Sequence, residues 1–203
     1  MKSETLWRLF VAAICCALLG SAQAAGDPKA GQFKFDTCKG CHAIPGYTNV
    51  YPTYHVPRLG GQHAEYIIAA LNEYKTGNRQ HPTMTANAFD LSDQDMADIA
   101  AYVAAVKPAE EKNPITGDVE SGKKKAQTCA ACHGPDGNGP APDFPRLAGQ
   151  HEDYLIKSLQ DYKSGKRKNA IMNGMAAPLS ATDITNLSAY FASQPKGLAA
   201  VHD

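Results

Sequence analysis

The sequence has 203 residues, and its 20 Lys and Arg residues balance its 20 Asp and Glu residues, so the net charge is zero with neutral histidines. This balance argues against a nucleic-acid-binding protein, because such proteins usually carry a basic excess. Apolar residues make up 43% and charged residues 20%, which is typical of a globular protein with room for one large domain or two small ones.

Residues 1–24 are predicted to be a signal peptide. Lys2 and Arg8 give the segment its positive charge, residues 9–20 are apolar, and residues 22–24 read Ala-Gln-Ala, the small-x-small pattern of a cleavage site. An uncleaved membrane anchor is the alternative, but the apolar run is short for a membrane-spanning helix, which needs about 20 residues. We therefore expect export to the periplasm.

Two similar halves follow the signal peptide. Residues 31–42 align with residues 122–133, and the motif Pro-Arg-Leu-x-Gly-Gln-His occurs at residues 57–63 and again at residues 145–151. The two copies of this motif are 88 residues apart, whereas the earlier segments are 91 residues apart, so the first half carries three extra residues between them. A repeat on this scale indicates a tandem duplication of a whole domain.

The repeat predicts two domains, at residues 25–106 and 118–203, joined by an exposed linker at residues 107–117. The linker is rich in proline and charge and lacks apolar periodicity. Within each domain the apolar residues recur at helical spacing, and the last helices are predicted to begin at Ser92 and Thr182. The predicted fold class is all-α, with three to five short helices per domain. A domain of this size has a small apolar core, so we expect a bound cofactor to stabilise it.

Each half contains one Cys-x-x-Cys-His motif, formed by Cys38, Cys41 and His42 in the first half and by Cys129, Cys132 and His133 in the second. This is the attachment signature of c-type haem. The two thiols add across the two vinyl groups of the porphyrin, and the adjacent histidine supplies one axial nitrogen to the iron. The sequence therefore predicts two covalently bound haem c groups.

Three other uses of these cysteines are less consistent with the sequence. A thioredoxin-like redox pair needs a βαβ pattern, which the sequence lacks. A zinc site would be split between two domains, and a disulfide within each short motif would be strained.

The sixth iron ligand is predicted from the repeat. Met84 and Met172 are 88 residues apart and occupy equivalent positions, on what we expect to be a loop before the last helix of each domain. Met175 is one alternative, although it has no methionine counterpart in the first half. His63 and His151 are another, because they also repeat and would give bis-histidine haems.

Four further residues are candidates for supporting the haems. The carbonyl groups of Pro57 and Pro145 are expected to accept a hydrogen bond from the axial histidine of the same half, with a simple rigid turn as the alternative. Arg58 and Arg146 follow directly and are expected to hold haem propionates buried between two domains that face each other, with solvated arginines as the alternative. Three histidines without a counterpart are expected to be solvated: His55, His81 and His202.

The duplicated pattern resembles the dihaem cytochrome c4 family, in which two class I cytochrome c domains lie in tandem. The pattern is CxxCH, then PRLxGQH, then a methionine before Leu-Ser, and it extends over residues 27–195. The resemblance implies class I cytochrome c-like domains with His42 and His133 as proximal ligands and Met84 and Met172 as distal ligands. It also implies a periplasmic electron carrier, not an enzyme, that is soluble or loosely associated with a membrane.

The implied partners are redox proteins, with a quinol-oxidising complex as donor and a terminal oxidase as acceptor, and we expect a monomer. The alternative function is the electron-accepting subunit of a periplasmic dehydrogenase, for example one that oxidises sulfur compounds. Residues 43–56, which contain three tyrosines, replace the Gly-rich residues 134–139 and would then form a docking surface. A dihaem peroxidase is disfavoured, because two equivalent methionines leave no open iron position.

Overall fold

The structure is a computed structural model, and it describes residues 25–108, 110 and 112–202. The predicted signal peptide lies outside the described residues. The first half forms α1 (Pro28–Lys34), α2 (Asp36–His42), α3 (Ala64–Thr76), α4 (Pro82–Phe89) and α5 (Asp93–Ala105). The second half forms α6 (Val119–Lys125), a 3₁₀ turn (Ala126–Thr128), α7 (Ala130–His133), α8 (Glu152–Ser164), α9 (Ala170–Ala176) and α10 (Ala181–Ala192). The described residues form isolated β-bridges but no β-strand.

The first and last helices of each half cross at a glycine. A Cβ atom on Gly31 would lie 2.0 Å from the carbonyl oxygen of Asp98 in α5, and one on Gly122 would lie 1.9 Å from that of Asn186 in α10. Any side chain here would push the two helices apart, which explains why both glycines appear in the aligned segments.

The last helix of each half begins with a capping box. The Ser92 and Ser180 hydroxyls accept from the backbone N–H of Asp95 and Asp183, whose carboxylates accept from the serine N–H in return. Helix α5 thus starts at the predicted cap. The predicted start at Thr182 is wrong, because Ser180 caps α10 two residues earlier.

Each half also has a small apolar core of its own. The first core contains Phe35, Ile67, Ile99, Ala100, Val103 and Val201, and the second contains Ala126, Leu155, Leu187, Tyr190, Phe191 and Ala192. Val201 is the exception to this separation, because it comes from the end of the chain and packs in the first core.

The two halves meet through a reciprocal pair of buried glutamines. Gln150 Oε1 accepts from the N–H of Arg58 at 3.0 Å, and Gln150 Nε2 donates to Arg58 O at 2.9 Å. Gln62 makes the same two bonds with Arg146, at 2.8 Å and 3.0 Å. Each copy of the Pro-Arg-Leu-x-Gly-Gln motif is therefore held against the other copy.

The second part of the predicted linker is fastened to the second half. Asn113 Nδ2 donates to Ala192 O at 2.9 Å. The Glu152 carboxylate accepts from the N–H groups of Thr116 at 2.7 Å and Gly117 at 2.9 Å. These bonds fix the point at which the chain enters α6.

Candidate haem sites

Each Cys-x-x-Cys-His motif ends at the histidine that closes a short helix: the first motif lies within α2, and the second begins at Cys129, the N-cap of α7. The four cysteines in the described part of the chain have free thiols, so no disulfide occupies either motif. Burial raises the pKa of the Cys38 and Cys129 thiols. This favours the neutral thiol over the thiolate that a zinc site or a redox nucleophile requires.

Both motif histidines are buried and bonded to a proline carbonyl. The Nδ1 atom of His42 lies 2.9 Å from Pro57 O, and that of His133 lies 2.8 Å from Pro145 O. A carbonyl oxygen only accepts, so Nδ1 carries the proton and donates it to this bond. The Nε2 atom of each ring then keeps its lone pair for a metal ion.

The electrostatic environment keeps both rings neutral. The pKa of His42 is lowered to about 4, chiefly by burial, which outweighs the opposing hydrogen bond to Pro57, with the positive charge of Arg79 acting in the same direction as burial. Burial likewise lowers the pKa of His133. Neutral imidazole is the form that binds a metal, so both rings are in the correct protonation state at neutral pH.

Met84 and Met172 occupy the same position in α4 and α9, so the expectation that they lie on loops is wrong. The N–H of Met84 donates to His81 Nδ1 at 3.3 Å, and the N–H of Met172 donates to Asn169 Oδ1 at 3.0 Å. These caps fix the first turn of each short helix. Both methionines are half-buried, whereas Met175 is 40% exposed.

The two repeated histidines outside the motifs have other partners. The Nε2 atom of His63 lies 2.8 Å from Gly139 O and therefore donates to it. The ring of His151 is buried and stacks on His55, with 4.6 Å between the ring centroids. Because both rings are engaged elsewhere, these contacts favour methionine over histidine as the sixth ligand.

Two of the histidines expected to be solvated are not. His55 lies 2.7 Å from the Asp153 carboxylate through its Nδ1 atom, and His81 caps α4. The predictions for His55 and His81 are therefore wrong, because His55 pairs with a carboxylate of the second half and His81 accepts from the backbone of its own helix. His202 is exposed, as expected.

Arg58 and Arg146 lie between the two halves. Arg58 Nη1 donates to Gly149 O, and Arg146 Nη1 donates to Gly61 O at 2.9 Å. The Nε atom of Arg146 is buried and has no hydrogen-bond partner among the described residues. A buried donor without an acceptor is unfavourable, and a carboxylate of a haem would supply the acceptor.

A second pair of cations, Arg79 and Arg167, was not among the residues predicted from the sequence. Both are buried, they form a β-bridge with each other, and they stack over Tyr74 and Tyr162, each 4.6 Å from the ring centroid. Arg167 also pairs with Glu73 at 2.9 Å. The repeat could have identified them, because the two arginines are 88 residues apart, the same separation as the two copies of the Pro-Arg-Leu motif. Two buried guanidinium groups beside one carboxylate leave a positive region that suits further carboxylates.

The residues of each half therefore fit a covalent haem. The paired thiols would provide the attachment, the neutral histidine would provide an axial nitrogen, and Arg58 and Arg146 would provide cations for propionates. Among the described residues, no cluster of His, Cys, Asp or Glu could hold a bare metal ion instead. No helix in the described ranges has the length and apolar character needed to cross a membrane.

Comparison with known proteins agrees with this geometry. The sequence matches the Cytochrome c family over residues 28–107 and again over residues 119–195. A cytochrome c4 of Pseudomonas aeruginosa is 40% identical over 186 residues, which cover 85% of this chain and 91% of that protein. A thiosulfate dehydrogenase electron acceptor of Stutzerimonas stutzeri is 33% identical over 153 residues, which cover 68% of this chain and 70% of that protein.

A solved structure supports the same conclusion. The reduced recombinant cytochrome c4 of Pseudomonas stutzeri has a TM-score of 0.69 and 33% identity to this chain, covering 84% of this chain and 100% of its own. The predicted all-α fold of two cytochrome c domains is confirmed. The prediction of two covalent haem c groups is confirmed as well, because each matched domain contains one attachment motif.

Proposed function

This chain belongs to the cytochrome c4 family, and on that premise we propose that it carries single electrons through the periplasm to a terminal oxidase. Two haem c groups and membership of the cytochrome c4 family make it a dihaem electron carrier, and the cytochrome c4 relatives are electron carriers rather than enzymes. The predicted signal peptide supports the periplasmic location.

The observation that supports passage of an electron through both domains is the reciprocal interface between the two cytochrome c domains. The two glutamines contribute four hydrogen bonds that hold the domains in one arrangement. A fixed arrangement keeps the two redox centres at a constant separation. An electron that enters one domain can then leave from the other without any domain movement.

The protein contributes orientation, protonation state and shielding from water. When bound, each haem supplies a one-electron ferric–ferrous couple. The carbonyl groups of Pro57 and Pro145 orient the rings of His42 and His133, and burial keeps those rings neutral. We propose Met84 and Met172 as the sixth ligands, because a thioether stabilises ferrous iron and raises the reduction potential.

We further propose that Arg58 and Arg146 hold haem propionates at the interface. The unpartnered Nε atom of Arg146 supports this role. Arg146→Gln should then shift a reduction potential, because a cation beside a carboxylate is lost. Unchanged potentials in this variant would contradict the role.

The proposed acceptor can be tested directly. Reduced holoprotein is mixed with membranes that contain a terminal oxidase, and haem oxidation is followed by absorbance. We expect rapid oxidation that stops when the oxidase is inhibited by cyanide. If the membranes do not oxidise the protein although ferricyanide does, the acceptor is a different protein.

A second function is favoured by the similarity to the thiosulfate dehydrogenase electron acceptor. In that case the chain would accept electrons from a dehydrogenase, and the exposed Val50 and Tyr51 would form part of the docking surface. Oxidised holoprotein mixed with thiosulfate dehydrogenase and thiosulfate would be reduced within the turnover time of that enzyme. Slow reduction by thiosulfate dehydrogenase, together with fast oxidation by the oxidase-containing membranes, favours the role as electron donor to a terminal oxidase.

A further inference from the structure

The end of the chain crosses from the second domain into the first. The N–H of Leu198 donates to Ala148 O at 2.8 Å, which is still a contact within the second domain. Residues 199–201, which we term the C-terminal segment, then run beside the first domain. Gly60 and Ala199 exchange two backbone hydrogen bonds, at 2.8 Å and 3.0 Å.

The last contact of this segment is with the end of the haem attachment helix α2. The N–H of Val201 donates to the carbonyl oxygen of His42 at 3.2 Å. The last carbonyl groups of a helix have no partner inside the helix and must find one elsewhere. The C-terminal segment provides that partner for His42.

The C-terminal segment is buried in the first domain. Ala199, Ala200 and Val201 are 3%, 5% and 0% exposed. Val201 belongs to the same core as Phe35 and Val103. Burial of an apolar side chain is favourable, so the segment is a stable part of the first domain.

The second domain makes the equivalent two hydrogen bonds within itself. The N–H of Gly139 donates to His133 O at 2.7 Å, and the N–H of Ala148 donates to Gly137 O at 3.2 Å. Both glycines belong to residues 134–139, the Gly-rich loop that follows the second attachment motif. In this domain a local loop therefore satisfies the carbonyl of the motif histidine.

The first domain has no such loop, because residues 43–56 take its place. Its His42 and Gly60 correspond to His133 and Ala148 of the second domain. Val201 donates to His42 O in the way that Gly139 donates to His133 O. Ala199 O accepts from the N–H of Gly60 in the way that Gly137 O accepts from Ala148.

We propose that the C-terminal segment replaces the Gly-rich loop in the first domain and positions His42, the proximal ligand of the first haem. The segment acts on the two groups that set the position of the His42 ring, namely the backbone of His42 and the chain that carries the Pro57 carbonyl. Val201 holds the His42 carbonyl, and Ala199 holds Gly60, three residues after the Pro57 whose carbonyl accepts from the ring. The proposal rests on the ligand roles proposed above, and it makes the first haem site dependent on the second domain.

The backbone donor can be removed in the full-length holoprotein. Val201→Pro deletes the N–H but keeps an apolar side chain, and Val201→Ala is the matched control that keeps the N–H and shortens the side chain. The reduction potentials of both haems are measured by spectroelectrochemical titration. Met84→His and Met172→His identify the two waves, because each lowers the potential of its own haem.

We expect Val201→Pro to shift only the wave that Met84→His shifts, and to shift it more than Val201→Ala does. Unchanged potentials, equal shifts of both waves, or equal effects of the proline and alanine variants would overturn the proposal. If neither methionine variant changes a potential, the ligand assignment has failed, and the exchange measurement below then tests the segment by itself.

Amide hydrogen exchange of the unaltered holoprotein needs no variant. The Ala199 and Val201 amides donate to Gly60 O and His42 O, whereas His202 is exposed. We expect the first two amides to exchange far more slowly than that of His202. Exchange of the Val201 amide as fast as that of His202 would show that the segment does not hold His42 in solution.

Discussion

Gln62 bonds both backbone polar groups of Arg146 across the domain interface, accepting from its N–H at 2.8 Å and donating to its carbonyl at 3.0 Å. The same Gln62 Oε1 accepts from the N–H of His63 at 3.0 Å. One buried side chain thus satisfies three backbone groups, two of them in the other domain. We therefore expect this uncharged side chain to make a large contribution to the free energy of unfolding.

Gln62→Ala should therefore destabilise the holoprotein. Three hydrogen bonds are lost, and each contributes about 0.5–1.5 kcal/mol, so we expect the free energy of unfolding to fall by about 1.5–4.5 kcal/mol. Guanidinium denaturation followed by circular dichroism measures this change. Gln160→Ala, at an exposed position of α8, is the control. Equal stability of the two variants would contradict the role of Gln62.

Met172→Leu should lower the reduction potential of one haem and remove the sulfur-to-iron absorption band of that haem. The physical reason is the loss of a thioether ligand that stabilises ferrous iron. Met175→Leu is the matched control, three residues further along the same short helix. If Met175→Leu removes the band and Met172→Leu does not, the ligand derived from the repeat is the wrong one.

Two equivalent tyrosines should respond differently to loss of the hydroxyl. Tyr190 donates to Pro135 O at 2.7 Å, whereas the buried Tyr102 hydroxyl has no hydrogen-bond partner among the described residues. Tyr190→Phe should lower the free energy of unfolding by about 0.5–1.5 kcal/mol, and Tyr102→Phe should leave it unchanged or raise it. Denaturant titration of both variants measures these changes, and an equal loss of unfolding free energy in the two variants would contradict this explanation.

The stability of the holoprotein should depend on pH through His151. Burial, together with the nearby Arg58 and His55, lowers the pKa of this ring to about 4, although Asp153 opposes them. The unfolded chain takes up a proton near pH 6.5 and the folded chain only near pH 4, so this contribution is complete above pH 6.5 and is lost as the pH falls toward 4.

His151→Gln should reduce the loss of stability between pH 6.5 and pH 4. Thermal melting of the variant and the unaltered protein across this range provides the measurement. His63→Gln, at the equivalent start of α3, controls for changing a residue at a helix N-cap. An identical slope of stability against pH in the His151 variant and the unaltered protein would rule out this contribution.

The sequence allowed the attachment motifs, the repeat and the methionine pair to be found, because each depends on residue type and spacing. The helices around Met84 and Met172 were missed, since helices of seven or eight residues show little periodicity and depend on caps such as His81 and Asn169. The C-terminal segment could not be predicted, because Ala199 and Val201 act through backbone atoms whose partners are set only by the placement of the two domains.

The central claim is that one chain holds two haems and exchanges two electrons, one at each site. An anaerobic reductive titration of the mature holoprotein, combined with the intact mass of the same sample, tests it most directly. We expect a mass that exceeds the polypeptide by two haem groups and full reduction after two electron equivalents per chain. A mass increase of one haem, or full reduction after one electron, would contradict the account.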